Sequence, residues 1–282
     1  MKNLISSIIA IAAIFSMASY AAGATPQFQV NTLSGGSLTT NLVSYWNMQG
    51  NSNDYWGSNN GADTSMSYST GAGKVNEGAA FNGTNSVTTI AHNSTLSPST
   101  ITVAFWINFG TLITGSQYYR FIANRDSGGT GGWHIGWAPK SGAPVLYTDI
   151  AGNEATWSFS PSANTWYFIV WSQTGTTPTL YVNNSLVTVS GSVGAITDAG
   201  VAMTIGYGYG GGGNQNFNGD LDEVLLYSKV LSANERTDLY NGSAGQTMCN
   251  GTGGPVCGGG NPRRREVILS FKPENSITIK TA

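Results

Sequence analysis

Residues 217–227 read FNGDLDEVLLY and put Asp220, Asp222 and Glu223 side by side in a chain with 14 acidic residues among 282. Carboxylates so close together have three uses. They can act as an acid–base pair, bind a hard cation, or accept hydrogen bonds from backbone amides. Asp220 and Asp222 share one face of an extended strand, because side chains alternate with a period of two. Retaining glycoside hydrolysis needs two carboxylates about 5 Å apart, one an acid and one a nucleophile. Calcium asks for about six to eight oxygens from carboxylates, carbonyls and amides. A second oxygen-rich stretch, Asn53-Asp54 with Asn59-Asn60, adds a carboxylate and amide oxygens of the kind calcium takes, so Asp54 and Asp222 are candidate ligands if the fold brings them together. The alternative is that Asp222 accepts loop amides and fixes the junction between the strand and the helix.

A second group of residues could hold a sugar. Aromatic rings cover the C–H patches of a saccharide, while amides and carboxylates take its hydroxyls. GGTGGWHIGWAPKSG sets Trp133 and Trp137 between Gly-rich turns, and GYGYGGGGNQN sets Tyr207 and Tyr209 beside Asn214 and Gln215. If 133–137 is extended, Trp133, Ile135 and Trp137 share a face, which is either a binding platform or the core. The only histidines, His92 and His134, lack metal-ligand spacing and read as surface or loop residues. Gly206, Gly208 and Gly211 satisfy Gly-x-Gly-x-x-Gly, but a loop comes next where a dinucleotide site needs a helix. No Gly-x-Ser-x-Gly occurs, so a serine-hydrolase elbow has no support. Cys249 and Cys257, in CNGTGGPVC, are spaced for a local disulfide in an oxidising compartment.

The elements that must position these residues are strands. Only 9% of residues are charged, 38 are Gly, and the net charge is −2, which excludes a basic nucleic-acid footprint. Lys2, the apolar run Leu4–Met17 and the small residues Ala22-Gly23-Ala24 read as an export signal over 1–24. No later stretch is long and apolar enough to span a membrane, so the mature chain is expected to be secreted, periplasmic or surface-held. Residues 25–40 read as a linker. From Leu42, short apolar segments alternate with Gly and Asn turns, among them LVSYWNM, ITVAFWINF, GWHIGWA, WYFIVWSQ, TLYVNNSLVTV and AMTIGYG. Many short strands at regular spacing signal a sandwich or barrel. Asn183-Asn184 suits a hairpin turn. Ser232 and Glu235 form a capping box for one short helix that stops at Asn241-Gly242. Residues 246–282 are a Gly-rich, then basic tail; Arg263–Arg265 is a solvated charge run, and EVILSF and SITIKT are strands without a partner.

FNG occurs at 81–83 and 217–219, and the second copy runs on into DLDEVLLYSKVLSANERTDLYNG. With LVSYWNMQGNSNDYWGSNNG at the start, this resembles the laminin-G-like, concanavalin A-like jelly rolls of bacterial secreted and surface proteins. The matching positions of the closing signature are Phe217, Gly219, Leu221, Asp222, Glu223, Val224, Tyr227, Leu239 and Tyr240. The resemblance covers about residues 41–245. It implies an all-β, two-sheet antiparallel sandwich with one short C-terminal capping helix, and a structural calcium where the first loop, with Asp54, meets the last strand, with Asp222. One departure is Gln49, where many relatives carry an acid. Laminarinase-like members use Glu-x-Asp-x-x-Glu, which this chain lacks. The expected function is a non-catalytic carbohydrate-binding or adhesion module, with a glycan, cell-surface polysaccharide or extracellular protein as partner. The alternatives are a polysaccharide hydrolase and a ligand-free spacer.

Overall fold

A computed structural model describes residues 38–112, 118–140, 143–208, 215–245, 267–271 and 277–281. The signal segment, Cys249, Cys257, Tyr209, Asn214 and Arg263–Arg265 lie outside the described residues. Among the described residues there are eighteen strands. They are β1 Leu42–Trp46, β2 Gly61–Thr64, β3 Ser67–Ser69, β4 Gly78–Asn82, β5 Val87–Ile90, β6 Thr100–Phe109, β7 Tyr119–Arg125, β8 Gly132–Lys140 and β9 Ala143–Ile150. Then come β10 Asn153–Ser158, β11 Trp166–Thr174, β12 Thr177–Val182, β13 Ser185–Val187, β14 Val189–Gly191, β15 Met203–Ile205, β16 Asn218–Tyr227, β17 Val267–Phe271 and β18 Ile277–Thr281. A short α-helix, α1, spans Ala233–Tyr240.

The first sheet runs β13-β12-β11-β6-β16-β4-β3, with β1 also on β16; the second runs β14-β10-β9-β8-β7-β15-β5-β2. The pairings are antiparallel, as expected for an all-β sandwich. The tail strands β17 and β18 pair with each other, which corrects the expectation that they are strands without a partner. They belong to a compact unit separate from the one spanning Gly36–Gly259.

Burial explains the strands. Ile101, Val103, Phe105, Ile107 and Phe109 of β6 alternate into the core between the sheets, where Ile169 and Trp171 of β11 join them. The residues between them, Ala104 and Trp106 with Phe168 and Val170, enter a second apolar cluster on the other face with Leu231 and Leu239. The first sheet is therefore apolar on both sides, and α1 supplies part of the second cover. The expected capping box is present: Ser232 Oγ accepts the Glu235 amide and the Glu235 carboxylate accepts the Ser232 amide. Asn241 ends the helix in the left-handed region at φ 46°. Asn183 and Asn184, both at positive φ, make the β12–β13 turn.

β16 contains the feature that organises this sheet. Its partner on one edge is β4 through residues 218–221 and β1 through residues 224–227. At the change, the register against β6 shifts between Asp222 and Leu225, and Glu223 takes φ 52°. This is a β-bulge, with one extra residue on one strand. The bulge restores alternation with the opposite parity. Leu221 and Val224, three apart, both face the inter-sheet core, while Leu225 and Tyr227 face the helix side. Asp222, fully buried, fills the gap where β4 and β1 part: Oδ2 accepts the amides of Lys74 (2.8 Å) and Val75 (2.7 Å), and Oδ1 accepts that of Glu223 (2.8 Å). Glu223 is buried too and accepts the Tyr45 hydroxyl from β1.

Asp222→Ala would strand three amides in a dry site, each left with a desolvation cost of about 1–3 kcal/mol. The expected result is a loss of about 3 kcal/mol or more, read as a lower urea midpoint with an unchanged slope.

Candidate functional site

The clustered acids of β16 hold the fold together. Asp220 is half-buried, takes a 3.1 Å hydrogen bond from Asn108 Nδ2, and is pushed up to about 6 by burial, against the pull of that bond. Its neighbour Asp222 is sealed from solvent. The two therefore do not offer a substrate a pair of carboxylates.

Nor do the candidate calcium ligands fit a cation. Asp54 Oδ1 accepts the amides of Tyr45 (3.0 Å), Trp56 (3.0 Å) and Gly57 (2.9 Å), and Oδ2 accepts that of Asn59 (3.0 Å). Asn59 Oδ1 accepts from Asn93 and Asn60 Oδ1 from the Asp54 amide. Both carboxylates thus face N–H donors, whereas a calcium shell is made of oxygens. Gln49 gives the physical reason for the departure from the family pattern. Its Nε2 donates among three carbonyls, those of Asn47 (3.0 Å), Val75 (2.9 Å) and Glu77 (2.7 Å), and its Oε1 accepts the Glu77 amide. The amide nitrogen fills a triangle of oxygens that an acid could fill only with the help of a cation. Among the described residues no group of three or more His, Cys, Asp or Glu is arranged to hold a metal.

The tryptophan platform is also corrected. Trp133, Ile135 and Trp137 do share a face of β8, as their spacing requires, but it is the core face. Trp133 is 0% exposed, stacks on Trp171 at 5.6 Å and donates to Leu96 O; Trp137 is 2% exposed and meets Phe109 edge-on at 5.4 Å. Neither ring can reach a sugar.

Period-two alternation sends the residues between them, His134, Gly136 and Ala138, to the outer face of the second sheet. A polar and aromatic cluster lies there. His134 is fully buried and is neither a surface nor a loop residue. Arg120 Nη1 is 2.5 Å from its Nε2, and Arg125 Nη1 is 3.3 Å from its Nδ1. The Arg120 guanidinium lies over the Tyr147 ring at 4.7 Å, and Tyr118 packs edge-on against Tyr147 at 5.9 Å. Arg125 pairs with Asp149, Nη1 to Oδ2 at 3.0 Å. Glu154 stands opposite Asp149 in the β9–β10 register. Gly136 makes room for this arrangement, since a methyl group there would meet the Tyr119 carbonyl at 2.3 Å and Tyr147 Cε1 at 3.1 Å.

The tyrosine loop reaches the same place. Arg120 Nε donates to Gln215 Oε1 at 3.3 Å, and a methyl group on Gly208 would come within 2.6 Å of Arg120 Cγ. Tyr207, half-buried, precedes that contact, and its carbonyl accepts the Thr204 hydroxyl. The described ends of the loop thus meet the outer-face cluster. Sequence reasoning found the loop and missed Arg120, Arg125, Tyr147 and Asp149. The available signal was the alternation in 133–137, read with the core assigned to the tryptophans.

Because N–H groups already occupy both acidic sites, a chelator is expected to leave the melting temperature unchanged in a thermal scan, whereas Asp54→Ala lowers it by several degrees.

Comparison with known proteins agrees with this architecture. Solved structures share the fold, among them these three. Domain 4 of AbnA, a GH43 extracellular arabinanase from Geobacillus stearothermophilus in complex with arabinotriose, matches at TM-score 0.56 and 18% identity, over 70% of this chain and 97% of that one. The binding domain of Paraclostridial Mosquitocidal Protein 1 matches at 0.59 and 22%, over 73% and 53%. A botulinum neurotoxin type C structure, whose cell entry is described as dependent on two ganglioside molecules, matches at 0.54 and 16%, over 73% and 52%. The chain spans about half the length of these two toxin chains. A search of curated proteins finds no match. The family profile described as the concanavalin A-like lectin/glucanases superfamily matches residues 81–235, more than half of the 282 residues, and the chain belongs to that superfamily.

Proposed function

We propose that this chain is an exported, non-catalytic module that binds carbohydrate on a cell surface or in an extracellular matrix. One observation carries the reading: the outer face of the second sheet has half-buried Tyr118, Asp149 and Glu154 beside a buried layer of Arg120, His134 and Tyr147 that holds them in place. The partly exposed Tyr118 ring offers an apolar face to sugar C–H groups, while the Asp149 and Glu154 carboxylates can accept hydrogen bonds from the sugar hydroxyls. Strands hold such groups more firmly than loops do. The arabinotriose and ganglioside named for two of the similar structures support a sugar as the ligand class. Export rests on the Lys2 to Ala24 segment.

The test is a glycan array probed with the full chain, then affinity measurements on the sugars it retains. Tyr118→Ala is expected to weaken binding about tenfold, the loss of one aromatic contact. Leu186→Ser, on the opposite sheet and 65% exposed, leaves affinity unchanged. An array with no bound sugar, from protein that melts cooperatively, sinks the reading in favour of a protein partner or a spacer.

A second reading rests on the Asp149–Glu154 register. Residues directly opposite on antiparallel strands hold their Cβ atoms about 4.5–5.5 Å apart, within reach of the carboxylate separation used by retaining glycosidases. If the module cleaves the polysaccharide it binds, Glu154→Gln abolishes release of reducing ends and leaves affinity intact. Intact polysaccharide after prolonged incubation with the unmodified chain removes this reading.

A further inference from the structure

The outer face of the second sheet sorts its charges by depth. Two guanidiniums on one face would suit an anionic sugar, because Arg pairs with carboxylates and phosphates through a fork of N–H groups. Here both are turned inward. Arg120 is 7% exposed and Arg125 is 6% exposed. Arg120 spends its donors on His134 Nε2 and, at 3.3 Å, on Gln215 Oε1, and it lies over the Tyr147 ring at 4.7 Å. Arg125 Nη1 reaches Asp149 Oδ2 and the Asp149 carbonyl, each at 3.0 Å, and its Nη2 donates to the Gly129 carbonyl at 3.4 Å. Gly129, at φ 70°, lays the turn between β7 and β8 against this group, where a methyl would collide with Nη2.

The carboxylates lie nearer to solvent. Asp149 keeps 27% of its side chain exposed, and Glu154, opposite it in the β9–β10 register, is half-buried. Alternation along β10 puts Thr156 and Ser158 on the side of Glu154, and the β10–β14 register sets Ser190 opposite Thr156. Thr156 is half-buried, while Ser158 and Ser190 are exposed. Among the described residues, a ligand on these strands thus meets carboxylates and hydroxyls beside the Tyr118 ring, and the cations lie behind them.

That order decides which sugars fit. A neutral saccharide donates its hydroxyls to the carboxylates and rests its C–H groups on the ring. An acidic saccharide needs N–H donors or a cation at contact. Its carboxylate would instead meet Asp149 and Glu154, lose water without gaining a partner, and be repelled. A built-in repulsion of this kind gives specificity between ligands of similar shape.

We propose that this face selects neutral saccharides and rejects acidic ones, with Asp149 and Glu154 as the specificity-determining residues and Arg125 as the positioning residue that fixes Asp149. The proposal rests on the outer face being the ligand site. The test is an array carrying mannan, glucan and galactan oligosaccharides beside mannuronan, glucuronan and galacturonan of the same lengths, followed by titration of the full chain with each retained sugar and its uronate counterpart. Retention is expected from the neutral set, with the uronate weaker by about tenfold or more. Two variants then ask whether the named face sets this ratio. Glu154→Gln replaces a carboxylate with an amide that can donate, and Thr156→Lys adds a cation on the same side of β10. Each is expected to narrow the neutral-to-uronate ratio about tenfold, a change that a loss of folding alone would not produce. Preferential retention of uronates overturns the proposal and leaves the carbohydrate-binding reading standing. A ratio that stays unchanged in whichever of the two variants folds overturns it as well. If no sugar of either set is retained, the functional reading fails and takes this inference with it.

Discussion

The bulge at Asp222-Glu223 is the constraint on which the first sheet depends. In β16 the edge partner changes from β4 to β1, and without the extra residue alternation would carry Leu221 and Val224 to opposite sides. Inserting Glu223 at positive φ solves the parity problem and leaves a hole between β4 and β1. The Asp222 carboxylate closes that hole by accepting the amides of Lys74 and Val75. Gln49 ties the same loop from the other side through Val75 and Glu77. The acids and the amide are one joint, built from N–H donors and oxygen acceptors in balance.

That joint divides the labour between the two sheets. The first sheet spends both faces on packing, one against the second sheet and the other against the apolar cluster that includes Leu231 and Leu239. The second sheet spends its inner face on Trp133, Trp137 and their neighbours and carries charge and hydrogen-bonding groups on its outer face. A buried charged cluster is costly unless every member is paired. Here the pairing runs through Asp149–Arg125, the Arg120–His134 contact and the Tyr147 ring.

Much of this was legible in the sequence, and the limits have physical causes. The helix was visible because a capping box is a local device, complete within Ser232–Glu235. The Asn183-Asn184 turn was visible for the same reason. The shared face of Trp133, Ile135 and Trp137 was visible from the period of two. Which side of the sheet that face joins was not, because it depends on pairing with β7 and β9. The bulge left no local mark beyond a Glu in an unusual place, since its logic lies in the partner change from β4 to β1. The outer-face cluster joins residues from 118 to 215, and nothing near Arg120 in sequence announces His134, Tyr147 or Gln215. The role of Gln49 as a two-hydrogen donor shared among three carbonyls could be read only once the loop at 75–77 was in place.

The most direct test of the account is a hydrogen-exchange footprint of the full chain with and without a bound glycan. Protection confined to 118–125, 132–138 and 145–158, together with the segment from 215, places the ligand on the outer face of the second sheet, as the account predicts. Protection around 47–60 and 73–77, with those strands unchanged, would put the ligand at the acidic joint and contradict it.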